Sequence, residues 1–303
     1  MPLDRRTFLA SSTAIAGTLS GSYLVGKEQK GKPADDNSQI GKTPHTKFAV
    51  NIEMWFTKLP FLDRIRATAA LGFPAYEFWP YESQMERLDE IRKLNEQLGL
   101  VATQFTAWGF KPGMNDPKNR DAFVKKMEEA CKVAKRLDCK LMTVVAGDDI
   151  PGMSQPQMHE NVIEALKKAA PVCEEQGITM ILEPMNIRID HKGHCLYGSR
   201  DALRICSEVN SKAVKINWDL YHMQISEGDL CGHLKEGFAA GHIGYLQVAD
   251  NPGRNEPGTG EVHYNRVLKQ AYDLGYRGFV GLECVPKHDE LSAAKAVARA
   301  DVW

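Results

Sequence analysis

The sequence predicts an α/β protein, a single-domain (β/α)8 or TIM barrel over residues 47–303. Two observations support this fold. Short apolar segments rich in β-forming residues alternate with longer segments whose apolar residues recur at helical spacing, a pattern that indicates parallel β-α-β units. Eight such units in roughly 255 residues favour a closed barrel over an open sheet.

The predicted elements follow one another in a regular order. The eight predicted strands cover residues 47–52, 75–79, 100–105, 140–146, 178–183, 214–219, 243–248 and 278–283. The segments between them have the periodicity of amphipathic helices, most clearly over residues 120–137. Helices are expected to begin at Pro60, Pro117 and Ser199 and to end at Gly72, Gly99 and Gly275.

Two segments precede the predicted barrel. Arg5-Arg6-Thr7-Phe8-Leu9 is followed by small and apolar residues up to Val25, and this combination is typical of a twin-arginine export signal. Residues 26–46 are rich in Lys, Gly, Asp, Asn and Pro, which predicts a flexible linker. We therefore expect a signal segment over residues 1–25 and export to the bacterial periplasm, with membrane contact only through an uncleaved signal.

The balance of acidic and basic residues indicates which kind of molecule the protein binds. The chain has 38 Lys and Arg against 39 Asp and Glu, a formal net charge of −1. Proteins that bind nucleic acids usually carry a basic excess, so we expect a small-molecule substrate and no nucleic acid. A homo-oligomer is compatible with the sequence, which does not specify its size.

Polar side chains end four consecutive predicted strands. Glu183, Asp219 and Glu283 end the fifth, sixth and eighth strands, and Gln247 lies near the end of the seventh. Because the carboxyl ends of barrel strands share one rim, these side chains should converge. Buried carboxylates require a partner, and oxygen ligands favour Mg²⁺ or Mn²⁺ over a structural zinc. The pattern predicts one divalent metal ion held by these four residues.

The motifs around these positions resemble the hydroxypyruvate isomerase family, within the wider xylose isomerase-like TIM barrels. The similar segments are 183–186, 219–224, 247–264 and 281–283, and the resemblance extends over about residues 47–287. It implies that Glu183, Asp219, Gln247 and Glu283 hold the metal and that the two glutamates act as acid and base. It also implies that His222 contacts the substrate.

Other residues are candidates for the walls of the site. A substrate carboxylate needs a cation nearby, and Arg188 and Arg254 are the candidates for that contact. Trp55, Phe78, Trp79 and Trp108 follow or lie within the first three predicted strands, and they are candidates for apolar walls.

The predicted activity is an aldose–ketose type isomerisation, an intramolecular oxidoreductase reaction. The substrate would be hydroxypyruvate, tartronate semialdehyde or a sugar, converted through an enediolate with Glu183 and Glu283 as acid and base. A ketose 3-epimerase would use the same residues but return the proton to the opposite face of one carbon. A phosphodiesterase similar to endonuclease IV would need more His and carboxylate ligands and a basic surface. A non-catalytic sugar-binding barrel would bind its ligand without proton exchange.

Overall fold

Eight parallel strands close into a barrel in which every strand pairs with its neighbours in the sequence and the first pairs with the last. The computed structural model describes residues 37–303. The strands are β1 (Lys47–Asn51), β2 (Ala75–Phe78), β3 (Val101–Trp108), β4 (Leu141–Val145), β5 (Thr179–Glu183), β6 (Val214–Asp219), β7 (Ile243–Gln247) and β8 (Phe279–Leu282). Each overlaps a predicted strand, so the (β/α)8 barrel is confirmed.

The third strand differs most from its prediction, because it continues past residue 105 to Trp108. A shift of register after Thr106 lets Trp108 pair with Val144 of β4. Residues 105–108 therefore belong to the barrel wall. The loop over the barrel mouth begins only at Gly109.

Nine α-helices lie in the described part of the chain. They are α1 (Phe61–Ala70), α2 (Leu88–Leu98), α3 (Arg120–Leu137), α4 (Gln155–Gln176), α5 (Ser199–Val209), α6 (Leu220–Ser226), α7 (Leu230–Ala239), α8 (Tyr264–Asp273) and α9 (Glu290–Ala300). The predicted boundaries hold to within a turn: Gly99 ends α2 in the left-handed conformation at φ 65°. Pro117 opens a short 3-10 turn, and α3 follows it at Arg120.

Three of the four candidate wall aromatics belong to the core instead. Trp108 packs edge-on against Phe123 of α3, with ring centroids 5.2 Å apart. Phe78 packs in the same way against Phe61 of α1 at 5.5 Å. Trp55 is fully buried. These side chains fill the layer between strands and helices, so they stabilise the barrel and do not line its mouth.

Residues 37–46, which the sequence places in the linker, contact the barrel. The Gly41 N–H donates to Leu71 O at 2.7 Å, and a Cβ at Gly41 would lie 2.4 Å from Phe73 N, so only glycine allows this approach. Thr46 is buried against Asp301. The packed part of the chain therefore begins before Lys47. The predicted signal and residues 26–36 lie outside the described residues.

The buried Asp301 carboxylate holds the chain that leads into β1. It accepts hydrogen bonds from His45 N at 2.8 Å, from Thr46 N at 3.0 Å and from Thr46 Oγ1 at 2.5 Å. Residue 301 follows α9, so this contact joins the two ends of the barrel domain. No helix within residues 37–303 is both long and apolar enough to cross a membrane.

We expect Asp301→Ala to lower the free energy of unfolding by about 2–4 kcal/mol, because it leaves two buried donors and one partly buried donor without an acceptor. Urea unfolding followed by circular dichroism measures this change. Asp273→Ala is the matched control, since Asp273 pairs with Lys269 at the surface and such pairs contribute about 0–1 kcal/mol. Equal effects of the two substitutions would contradict the anchoring role of Asp301.

Candidate active site

The four strand-end residues lie together at the carboxyl rim of the barrel. Glu183, Asp219 and Gln247 are the last residues of β5, β6 and β7, and Glu283 follows β8 directly. All four are buried. We call Glu183, Asp219 and Glu283 the acid cluster.

Two buried oxygens of the acid cluster have no hydrogen-bond partner among the described residues. They are Glu183 Oε1 and Asp219 Oδ2, and both are buried. They lie 3.9 Å and 3.7 Å from His222 Nε2. Glu183, Asp219 and His222 thus bring three potential ligand atoms within 4.8 Å of one another. A buried carboxylate oxygen without a partner is costly, so the group is suited to hold a cation.

Burial raises the pKa values of the acid cluster. Burial and the negative charges of Glu283 and Asp219 raise the pKa of Glu183 well above its ordinary value. Burial raises the pKa of Glu283 to about 8, although Arg254 opposes the shift. Burial likewise raises the pKa of Asp219 to about 6. Carboxyl groups with such pKa values can exchange protons near neutral pH.

Arg254 supplies the positive charge nearest to the acid cluster among the described residues. Its Nη2 donates to Glu283 Oε1 at 2.6 Å and lies 3.8 Å from Asp219 Oδ2. Its Nη1 lies 4.0 Å from Asp190 Oδ1. One guanidinium cannot neutralise three carboxylates, so the cluster carries an excess of negative charge whenever all three groups are ionised.

Gln247 acts here as a hydrogen-bond donor to Glu283. Its Nε2 donates to Glu283 Oε2 and to Glu77 Oε1, the latter at 2.9 Å. Its Oε1 accepts from Asn217 Nδ2 at 2.6 Å. The oxygen therefore points away from the acid cluster, and the predicted metal ligation requires the amide to turn over.

Glu77 is a site residue that the sequence analysis missed. It lies within β2, is fully buried, and accepts from Asn51 Nδ2 at 3.0 Å as well as from Gln247. Burial raises the pKa of this carboxyl. Its signal in the sequence is an acidic residue between Tyr76 and Phe78 in an apolar strand, which a search of strand ends passes over.

His222 is completely buried beside Glu183 and Asp219. Its Nδ1 lies 2.7 Å from Asn186 Nδ2. Burial and the charge of Arg254 lower the pKa of His222 well below its ordinary value, so the ring is neutral.

A cavity of about 370 Å³ opens above the acid cluster. Its lining includes Glu183, Glu283, Arg254 and, of the four candidate aromatics, Trp79 alone. Arg188 is exposed and lies outside the lining. Arg254 is thus the candidate cation that the fold brings to the site.

The cavity also contains residues that the sequence did not indicate. Phe110, in the loop after β3, stacks on His191 with ring centroids 5.0 Å apart. His191 meets the His222 ring edge-on at 5.2 Å. No regular spacing links these loop residues to the strand ends, so only the folded chain identifies them.

Comparison with known proteins agrees with the barrel fold. Residues 65–301 match the family model described as xylose isomerase-like TIM barrel. The chain is 34% identical to hydroxypyruvate isomerase of Escherichia coli (strain K12) over 245 residues, which cover 80% of this chain and 94% of that protein. The chain belongs to the hydroxypyruvate isomerase family. It is an enzyme, an isomerase.

Two further known proteins are similar to this chain. The 2-oxo-tetronate isomerase of Cupriavidus necator is 34% identical over 248 residues, covering 80% of this chain and 93% of that protein. A crystal structure described as AP endonuclease, family 2, from Brucella melitensis has a TM-score of 0.75 and 29% identity. It covers 82% of this chain and 96% of that one. Within residues 37–303 one three-residue acidic and histidine group is close enough to share a cation, whereas a multi-zinc phosphodiesterase needs more ligands.

Glu183→Gln should stabilise the metal-free protein at alkaline pH. Because the pKa of Glu183 is raised from 4.5, the stability that its protonated form contributes is lost as the pH rises above that value. The neutral amide avoids this loss, so we expect a melting temperature a few degrees above that of the wild type at pH 8, and equal values near pH 4.

Thermal unfolding in EDTA at both pH values measures the difference. Glu128→Gln, on the exposed side of α3, is the matched control and should melt like the wild type. A lower melting temperature for Glu183→Gln at pH 8 would show that the Glu183 charge is compensated in the folded protein.

Proposed function

We propose that this enzyme is a metal-dependent isomerase that interconverts small hydroxy-carbonyl compounds through an enediolate. The observation that carries the proposal is the pair of buried carboxyl groups with raised pKa values, Glu183 and Glu283, beside the unpaired Asp219 oxygen. Two such groups at one rim can remove a proton from one carbon and return a proton to the next.

The donor set fits a divalent cation, with Mg²⁺ or Mn²⁺ favoured by its oxygen ligands. Glu183, Asp219 and Glu283 would hold it, joined by Gln247 if that amide turns its oxygen inward. When bound, the cation would polarise the substrate carbonyl and acidify the neighbouring C–H.

Glu183 and Glu283 would carry out the two proton transfers. One removes the C–H proton from the hydroxyl-bearing carbon, and the other delivers a proton to the former carbonyl carbon. A hydroxyl proton passes between the two oxygens, so the reaction moves hydrogen within one molecule and needs no external oxidant or reductant. The cavity wall of Trp79 and Phe110 would keep bulk water from the enediolate.

The relatives indicate the substrate class. One is named for hydroxypyruvate and the other for 2-oxo-tetronate, and both names describe short 2-oxo acids. We propose a short 2-oxo acid or a sugar of similar reactivity, with Arg254 as the contact for a carboxylate or hydroxyl oxygen. A ketose 3-epimerase on the same site is the alternative, and product analysis distinguishes the two.

We expect metal-dependent exchange of substrate hydrogen with solvent deuterium. The full chain would be incubated in D2O with Mg²⁺ or Mn²⁺ and hydroxypyruvate, 2-oxo-tetronate, ketopentoses or ketohexoses, and NMR would follow deuterium incorporation and products. Glu183→Gln and Glu283→Gln should each reduce exchange by about 100-fold or more.

Glu128→Gln is the control and should retain wild-type exchange. A product whose carbonyl group has moved to the neighbouring carbon would identify an isomerase, and an epimeric ketose would identify an epimerase. Unchanged exchange in both site variants would contradict the proposed roles of the glutamates.

We also propose that the enzyme is exported by the twin-arginine route to the periplasm. The support is the Arg5-Arg6-Thr7-Phe8-Leu9 motif and the small apolar residues after it. The double variant Arg5→Lys and Arg6→Lys should remain in the cytoplasmic fraction of a bacterial host, whereas Arg66→Lys, in a surface ion pair with Asp63, should be exported normally. Equal export of both variants would contradict this route.

A further inference from the structure

Asn186 has an amide group whose orientation is fixed by the backbone. The residue lies just after β5, and its Oδ1 accepts from Ile189 N at 3.0 Å and from Asp190 N at 3.3 Å. A backbone N–H can only donate, so the atom that faces both groups must be the oxygen. The Nδ2 group therefore points to the opposite side.

The two hydrogens of Asn186 Nδ2 meet two acceptors. One is Asp190 Oδ2 at 2.7 Å, and the other is His222 Nδ1 at 2.7 Å. Asp190 is held in turn by the Tyr221 hydroxyl at 3.0 Å. His222 Nδ1 thus faces a donor and must present its lone pair.

This contact determines which nitrogen of His222 carries the proton. A neutral imidazole has one N–H and one lone pair, so a lone pair on Nδ1 places the hydrogen on Nε2. Arg254 Nη2 lies 3.4 Å from Nε2. Because a guanidinium N–H can only donate, this contact would favour a lone pair on Nε2 instead. The Asn186 contact is shorter and its direction is fixed, while Arg254 Nη2 already donates to Glu283 at 2.6 Å, so Asn186 decides the tautomer.

We infer that Asn186 is a positioning residue that keeps the proton of His222 on Nε2. His222 then directs an N–H toward the space beside Glu183 Oε1 and Asp219 Oδ2, at 3.9 Å and 3.7 Å. It offers a hydrogen bond to a substrate oxygen and has no lone pair to give a metal ion. The inference rests on the proposed function only for the identity of the oxygen that receives this bond.

The position of the His222 proton decides which of two kinds of site the same three residues form. Glu183, Asp219 and His222 are close enough to share a cation, and with the proton on Nδ1 they would form a nitrogen-containing metal site. With the proton on Nε2, the carboxylates alone bind the cation, and the histidine is reserved for the substrate. Asn186 therefore keeps the site an oxygen-ligand site.

The double variant Asn186→Asp and Asp190→Asn tests this directly. It conserves net charge and reverses the hydrogen bond between the two side chains, because residue 190 now donates and residue 186 accepts. Residue 186 can still accept from the two backbone N–H groups, but it now accepts from His222 Nδ1–H as well. Asp190→Asn alone is the matched control, since it leaves the Asn186 donor in place.

The tautomer can be measured without any substrate. Two-bond ¹H–¹⁵N correlation spectra of the full chain, with ¹⁵N-labelled histidine and Mg²⁺, distinguish Nε2–H from Nδ1–H, and His222→Gln identifies the His222 signals. We expect Nε2–H in the wild type and in Asp190→Asn, and Nδ1–H in the double variant. An Nδ1–H or imidazolium signal in the wild type near pH 7.5 would overturn the inference even if the double variant failed to fold.

Metal affinity and activity provide a second readout. In the double variant the freed Nε2 lone pair should tighten Zn²⁺ binding by about tenfold or more and change Mg²⁺ binding much less. Loss of the N–H donor should lower kcat by about 100-fold. An unchanged tautomer in the folded double variant would overturn the inference. The expected tautomers without deuterium exchange in any variant would support the inference and contradict the proposed function.

Discussion

The buried negative charge of the acid cluster is the constraint on which the site depends. Glu183, Asp219 and Glu283 are held at the ends of rigid strands, so they cannot turn outward to water. Arg254 balances part of this charge, and burial raises the pKa of each carboxyl group. Burying several carboxyl groups this close together is costly when they are ionised, and a cation bound between them would lower that cost.

The loop after β7 places the Arg254 guanidinium beside the acid cluster. The buried Asp250 carboxylate accepts from four backbone N–H groups, those of Asn251, Gly258, Thr259 and Val262. Within the loop Arg254 adopts a positive φ of 54°, which is unfavourable for a side chain of its size. The surrounding hydrogen bonds hold this conformation, and the guanidinium reaches across to Glu283 as a result.

The sequence predicted the parts of the fold that depend on local pattern. The eight strands and the placement of Glu183, Asp219, Gln247 and Glu283 at one rim follow from periodicity and from the rule that barrel strands share one end. The same reasoning could not find Glu77 or His191. The partners of Glu77 come from β1 and β7. Those of His191 come from the loop after β3 and from α6.

The sequence analysis could not predict the orientation of side chains either. Trp79 and Trp108 read alike as aromatic residues near strand ends, yet Trp79 lines the cavity and Trp108 packs against α3. The register shift in β3 that places Trp108 arises from pairing with β4, a contact between distant parts of the chain. The direction of the Gln247 amide likewise depends on Asn217 and Glu77.

The chain of contacts from Asn51 through Glu77 and Gln247 to Glu283 has a consequence for how this protein can change over evolution. Each of these buried side chains supplies the donor or acceptor that its neighbour requires, so the effects of substitutions along the chain should not be additive. A replacement at position 247 that cannot donate a hydrogen bond would remove one of the two donors to Glu77 Oε1. These positions are therefore expected to covary among homologues, with changes at 247 accompanied by compensating changes at 77.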